Sequence, residues 1–401
     1  MFTGCKEVAQ EIIEPQEPDL HGLEFYEMQD ALRIFGDDLF KSLVADKNDA
    51  KNIVISPLSI AVALYMTYNG ANGDTRTAMA KSLNFDTIHP DSLNRIYSLL
   101  YNQMQPQNDS VIIKLANAVF WDQHRIFPSE QFKSALEINY DAALKAEDFQ
   151  NDPEGTLEKI NAWVKEKTEG KIEKILENLD PQEVMFLINA FYFTGSWDNP
   201  FDPFLTSDEL FTLGNGSQVS AAYMSNSMQW NAFQNEDYQV VESNFVDTAF
   251  AMYFILPTSA TPINDFIQSF DFQDFFKFRE DRMESNYFDV SIPKFELNYK
   301  VTLNDALKSL GMDIAFNPNQ ADFTNIGEVA YGNAYISRVE HKTYLKIDET
   351  GAEGAAVTGV GIAITSAPPA IKFDRPFMTL LVHKEINIPI FIGKIENPIE
   401  E

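Results

Sequence analysis

The stretch ETGAEGAAVTGVGIAITSAPP, Glu349 to Pro369, limits what this chain can fold into more than any other. From Gly354 to Ile371 no side chain is charged or aromatic, Gly and Ala are dense, and two prolines arrive only near the end. A membrane-spanning helix needs about 20 consistently apolar residues. Gly354, Thr358, Gly359, Gly361, Thr365 and Ser366 are poor filling for one, and Pro368 and Pro369 would end it. A slack surface linker is generally polar, whereas this one carries Val357, Val360, Ile362 and Ile364. Strand parity sorts the ribbon into two faces. Ala352, Gly354, Ala356, Thr358, Val360 and Ile362 form one, small or apolar throughout. Glu353, Ala355, Val357, Gly359, Gly361 and Ala363 form the other, with the only charge. An uncharged, β-capable ribbon left in solvent invites aggregation, so its exposure must serve something. The segment reads as a strand held in waiting.

A strand in waiting needs a large body to enter. The chain has 401 residues, 45% of them hydrophobic, with 32 Phe, ample for a big packed core. No Pro/Gly/Ser-rich stretch divides it and no repeat appears, so one compact domain (23–401) following an acidic tether (1–22) is the simplest organisation. Sixty acidic residues against 30 basic ones give a net charge of −30. Such a field repels phosphate backbones and anionic surfaces, which excludes nucleic acid and heparin-like partners and favours a soluble monomer. Cys5 is the one cysteine, so no disulfide can close within the chain. His21, His89, His124, His341 and His383 show no paired spacing, and phosphate-loop and nucleophile-elbow motifs are absent. No metal, no cofactor and no enzymatic activity are expected.

Patterning predicts a mixed α+β fold, helices before and strands after. FYEMQDALRIFGDDLFKSLVAD has helical spacing, and SPLSIAVALYMTYNGA begins with Ser56 as a cap and Pro57 in the first turn. TLEKINAWVKEKTEGKIEKIL is amphipathic, with Gly170 ending its first helix. VMFLINAFYF, FAMYFILP, YFDVSIPKFEL, TYLKID, MTLLVHK and IPIFIGKIENP have strand length and content.

These segments together resemble the serpin family. IDETGAEGAA resembles its hinge, and NIVISPLSIAVALYMTYNGANGDT its buried helix with Ser56 and Ser59. NAFYFTGSWDNPF resembles its Asn…Gly-x-Trp-x-x-Pro-Phe segment, through Asn189, Gly195, Trp197, Pro200 and Phe201. IPKFELNYKVTLNDALKSLGMDIAF and FDRPFMTLLVHKEINIPIFIGKIENP look like the Pro-Lys-Phe strand and the C-terminal signature. The segments run in the family's order from about residue 25 to 400. The resemblance implies three β-sheets, eight or nine helices and an exposed reactive loop. It also implies a suicide inhibitor of serine proteases, in which the cleaved loop inserts into the main sheet; the alternative is a non-inhibitory member acting as a binding or chaperone-like protein.

Carried over residue by residue, the hinge is Glu349, Gly351, Ala352, Glu353, Gly354, Ala355, Ala356 and Thr358. Ala352 stands where the family often has Thr and Gly354 where it often has Ala; both remain small. The shutter and breach residues are Ser56, Ser59, Asn189, Trp197 and His341, and none of them is catalytic. The family's usual loop length places the reactive bond at Thr365–Ser366, flanked by Ile362, Ala363, Ile364 and Ala367, with cleavage after Ile364 or Ala363 as near alternatives. Small and β-branched side chains suit shallow pockets of elastase-like or subtilisin-like proteases. No Lys or Arg lies between Lys346 and Lys372, so trypsin-like proteases have no target there.

The start, MFTGCKEVAQEIIEPQEPDL, holds no intact signal peptide, yet FTGC resembles the end of a bacterial lipobox. On that reading Cys5 is a lipidated N-terminus and the protein an extracellular or cell-envelope one, anchored at the outer membrane; a chance Gly-Cys is the alternative.

Overall fold

The computed structural model describes residues 22–45, 50–86, 88, 90–258, 261–352 and 368–400. Its helices are α1 (Leu23–Leu43), α2 (Pro57–Tyr68), α3 (Gly73–Ser82), α4 (Pro90–Gln103), α5 (Glu130–Tyr140), α6 (Pro153–Lys167), α7 (Ile263–Ser269), α8 (Phe272–Arg282) and α9 (Asn304–Leu307). The strands of the first half are β1 (Ile53–Ile55), β2 (Val111–Asp122), β3 (Ile126–Pro128), β4 (Ala143–Glu147) and β5 (Met185–Ser196). Then come β6 (Ser207–Thr212), β7 (Gln218–Gln234), β8 (Tyr238–Asn244), β9 (Phe250–Pro257), β10 (Glu284–Pro293) and β11 (Phe295–Thr302). The last are β12 (Gly327–Val329), β13 (Glu340–Ile347), β14 (Gly351–Ala352), β15 (Ala370–Lys372), β16 (Phe377–His383) and β17 (Ile388–Ile395).

Hydrogen bonding groups the described strands into four sets. Nine strands form the largest sheet, in the order β1-β17-β16-β9-β8-β7-β10-β15 with β6 on β7. Its centre is the core: β9, β16 and β17 are buried at every position, which is why their sequences read as continuous apolar runs. A four-stranded sheet runs β14-β5-β2-β4, and β11 pairs with β13 alone. The remaining pair, β3 and β12, is short. The main sheet implied by the resemblance thus appears in two pieces. Among the described residues β5 and β13 do not pair with each other, and an opening lies between them.

The buried helix α2 lies between the four-stranded sheet and the nine-stranded one. Ser56 caps it through its hydroxyl, accepting the Ser59 N–H at 3.2 Å, and Pro57 takes the first turn, where a missing N–H costs nothing. Most of its side chains are buried on all sides, packed on β5 and β17.

Two expectations need correction. The halves are less segregated than the pattern implied, because β2, β4 and β5 lie in the first half and α7, α8 and α9 in the second. No second helix follows Gly170: Glu169 and Gly170 turn with φ of 51° and 85°, and residues 171–183 cross the face of the main sheet as an irregular strap. Asn161 holds it there, its side-chain oxygen accepting the Ile175 and Leu176 N–H groups at 2.9 and 3.1 Å.

Candidate functional site

The site is the opening between β5 and β13, built at three levels. At the top, the chain leaves β13 and turns back. Trp197 fixes this turn: its indole N–H donates to the Asp348 carbonyl and its backbone N–H to that of Thr350, both at 2.9 Å. Phe201 N–H donates to the Glu349 carbonyl at 2.9 Å. The Glu349 side chain accepts from the Thr206 hydroxyl at 2.6 Å and pairs with Lys294 at 2.9 Å. Burial works against this carboxylate, but the Thr206 hydroxyl and Lys294 outweigh it and hold its pKa below the ordinary glutamate value.

Gly351 and Ala352 then start downward, antiparallel to β5, opposite Ser196 and Gly195. Thr194 donates its hydroxyl to the Ala352 carbonyl at 2.7 Å. Gly351 has φ +152°, and a Cβ there would collide with the Gly195 carbonyl, so only glycine makes this turn at no cost. Ala352 is 2% exposed, so the segment expected to serve as the hinge starts inside the sheet.

The middle level sits on the N-terminus of α2. His341, on β13, accepts the Ser56 N–H at its Nε2, 3.1 Å away. Burial pushes this imidazole down to about 3, so it stays neutral and keeps that nitrogen free to accept. Asn189, on β5, accepts the Ser59 hydroxyl and donates to the Asn117 side chain at 2.7 Å. The sequence-expected cluster is thus two pairs, one for each side of the opening, linked through the cap of α2. Asn117 was missed, although an amide inside the apolar strand VIIKLANAVFWD was the available signal.

The lowest level is a cavity of about 450 Å³. It lies between the start of β5 (Met185–Asn189), the approach to β13 (Ser337–His341) and Ile60, Ala63 and Leu64 of α2.

Glu353, Gly354, Ala355, Ala356 and Thr358 of the hinge, the reactive-loop positions Ile362, Ala363, Ile364, Thr365, Ser366 and Ala367, and Cys5 lie outside the described residues. Among the described residues no group of three His, Cys, Asp or Glu could hold a metal ion, and no helix is long and apolar enough to cross a membrane.

Comparison with known proteins agrees with this architecture. The family model described as "Serpin (serine protease inhibitor)" matches residues 30–398. Human Serpin B11 is 31% identical over 90% of this chain and 97% of its own. The native-state structure of the thermophilic serpin tengpin is similar with a TM-score of 0.84 at 30% identity, covering 96% of each chain. Human thyroxine-binding globulin with thyroxine is similar with a TM-score of 0.85 at 25% identity, covering 94% of this chain and all of that one. The hinge, the opening and a family match across nearly the whole length lead to one conclusion: this chain belongs to the serpin family.

Proposed function

We propose that the protein is a suicide inhibitor of serine proteases rather than an enzyme. The observation that carries this reading is the course set by the hinge. Continuing the pairing of Gly351 with Ser196 one residue at a time down β5 brings an inserted Thr358 level with Asn189. Continuing the Asp348–Gly351 bridge down β13 brings the same residue level with His341. The opening thus has a matching track on both sides, and β5 offers 12 residues of it. A dozen new backbone hydrogen bonds at about 1 kcal/mol net each release on the order of 10 kcal/mol. Attack on the loop gives an acyl-enzyme; insertion of the freed strand then carries the bound protease the length of the sheet, and its distorted active site stalls deacylation. The small hinge supports this over the binding-protein alternative, because nothing bulky, charged or cyclic obstructs the first steps below Ala352 except Glu353.

The proposed bond is Thr365–Ser366 and the target class elastase-like or subtilisin-like, on the small and β-branched residues around it. Incubation with such proteases, followed by denaturing electrophoresis and mass spectrometry, tests the reading. The expected outcome is a denaturant-stable complex and a released peptide starting at Ser366. A peptide starting at Thr365 or Ile364 moves the bond; cleavage by every protease without any complex refutes inhibition. We further propose an envelope location through lipidated Cys5, which full-length native protein lacking acyl mass would refute.

A further inference from the structure

The two sides of the opening are also joined at the bottom, through the side chains of Arg338 and Glu183. Arg338 stands two residues before β13 and Glu183 two residues before β5. The Arg338 guanidinium pairs with the Glu183 carboxylate: Nη2 donates to Oε2 at 3.0 Å, and Nε lies 2.8 Å from Oε1 without its N–H aligned for a hydrogen bond. It also donates to the Asn178 carbonyl at 2.7 Å and to the Asn178 side-chain oxygen at 2.9 Å, and lies 5.4 Å from the centre of the Phe186 ring. Glu183 accepts further from the Ser337 hydroxyl and the Asp180 N–H, each at 3.0 Å. Its carbonyl takes Arg125 at 2.6 Å, which in turn pairs with Asp122 at 3.3 Å. The side chains of Arg338 and Glu183 are 19% and 7% exposed, so water and salt screen the pair little.

One arginine therefore ties together the strap, the β5 side and the β13 side. A strand admitted between two others needs about 4.8 Å on either flank. The hydrogen bonds of Arg338 to Glu183 and to Asn178, at 2.7 to 3.0 Å, do not stretch to follow such a separation. The β5 register brings an inserting strand level with Glu183 at residue 364, and the β13 register brings it level with Arg338 at residue 361, so the clasp is met only near the end of the stretch before the proposed bond.

We propose that Arg338 is a positioning residue for loop insertion: its clasp on Glu183 and Asn178 holds the lower end of the opening closed and is broken only as the last few residues enter. The clasp so controls the partition between trapping a protease and releasing it, and it resists insertion of an uncleaved loop. This inference rests on the inhibitory reading above.

The test uses the full chain carrying Arg338→Met, Glu183→Gln or the conservative Arg338→Lys. Two synthetic peptides, copies of residues 351–364 and 351–360, are offered to the uncleaved protein, and uptake is followed by the rise in melting temperature. Arg338→Met and Glu183→Gln are expected to take up the longer peptide about tenfold faster, the change produced by ~1.4 kcal/mol off a barrier. The shorter peptide, which stops above the clasp, is taken up at the unaltered rate, and Arg338→Lys lies between. With a protease that forms the complex, the association rate constant stays the same while the stoichiometry of inhibition falls toward one. If Arg338→Met does not fold, Glu183→Gln carries the comparison alone. Wild-type uptake of the longer peptide by the folded variants overturns the proposal. Equal acceleration of both peptides also overturns it, because that marks general loosening. If no protease is trapped yet the variants still discriminate the peptides, the inhibitory reading falls and the clasp stands.

Discussion

At residue scale the opening is controlled by side chains that are ordinary in type and special only in place. His341 is buried and neutral, pushed down to about 3 by burial, whereas an exposed imidazole titrates near 6.5. Between these values the unfolded chain binds a proton that the native chain refuses, so stability rises with pH across that window. The contribution of His341 is complete above about pH 6.5 and is lost as pH falls toward 3. Melting temperature is therefore expected to drop between pH 7 and 4, and to drop less in His341→Gln, which keeps an acceptor for Ser56 but no proton to gain. His383, pushed down to about 4 by burial, acts in the same direction, so the variant flattens the profile without abolishing it. Thr358 offers a second residue-scale test. Burying an unpaired guanidinium between Asn189 and His341 costs several kcal/mol, so Thr358→Arg is expected to raise the stoichiometry of inhibition at least about tenfold as the protease consumes the loop. Titration of protease activity checks this, and unchanged stoichiometry would mean that the loop does not pass that point.

At the scale of elements, the described start of the expected hinge is the two-residue strand β14, whose geometry depends on one glycine. Adding a β-branched side chain at Gly351 forces it against the Gly195 carbonyl, at a φ that such residues avoid. Gly351→Val is expected to expel Gly351 and Ala352 from the sheet at a cost of about 1–3 kcal/mol. The Trp197 indole, bonded to the Asp348 carbonyl in the same turn, reports the change as a shift in fluorescence that Trp197→Phe removes. Elements also show where sequence patterning succeeds and fails. The strands β9, β16 and β17 were legible because burial on both faces leaves an unbroken apolar run. The strap after α6 was misread as helix because IEKIL has helical spacing; Asn161 captures its N–H groups instead. β2 was overlooked because its Lys114 and Asn117 interrupt the pattern, one facing outward and the other bonded to Asn189 and Tyr140.

At the scale of the whole molecule, stability and charge make separate claims. On the proposed mechanism, loop insertion would complete a sheet left open between β5 and β13, so the loop-cleaved protein is expected to melt well above the intact one. The comparison needs only a calorimeter and a protease that cuts the loop; equal melting would place the chain with members that do not insert. Charge bears on the encounter. The net charge is −30, and from Ile175 to Phe276 there is not one Lys, Arg or His. That span includes the Trp197 turn and Thr206, which bond to Asp348, Glu349 and Thr350 where the hinge begins. Association with a basic protease is expected to slow as salt rises from low to physiological strength, and association with an acidic protease to quicken. Stopped-flow rates at several salt concentrations check the sign.

The sequence by itself determined the α+β class, the family, the hinge with its small residues, and the identity of Ser56, Ser59, Asn189, Trp197 and His341 as candidates. Each of these is written locally, in a cap, a glycine, an apolar run or a short motif, so neighbouring residues suffice to reveal it. Only the tertiary structure decided that Ser56 meets His341 while Ser59 meets Asn189, that Lys294 and Thr206 hold Glu349, and that Arg338 pairs with Glu183. The partners in most of these contacts are separated by more than a hundred residues along the chain. A serine, a lysine or an arginine carries no mark in sequence of the distant group it will face; packing two sheet edges over one buried helix is what brings them within hydrogen-bond reach.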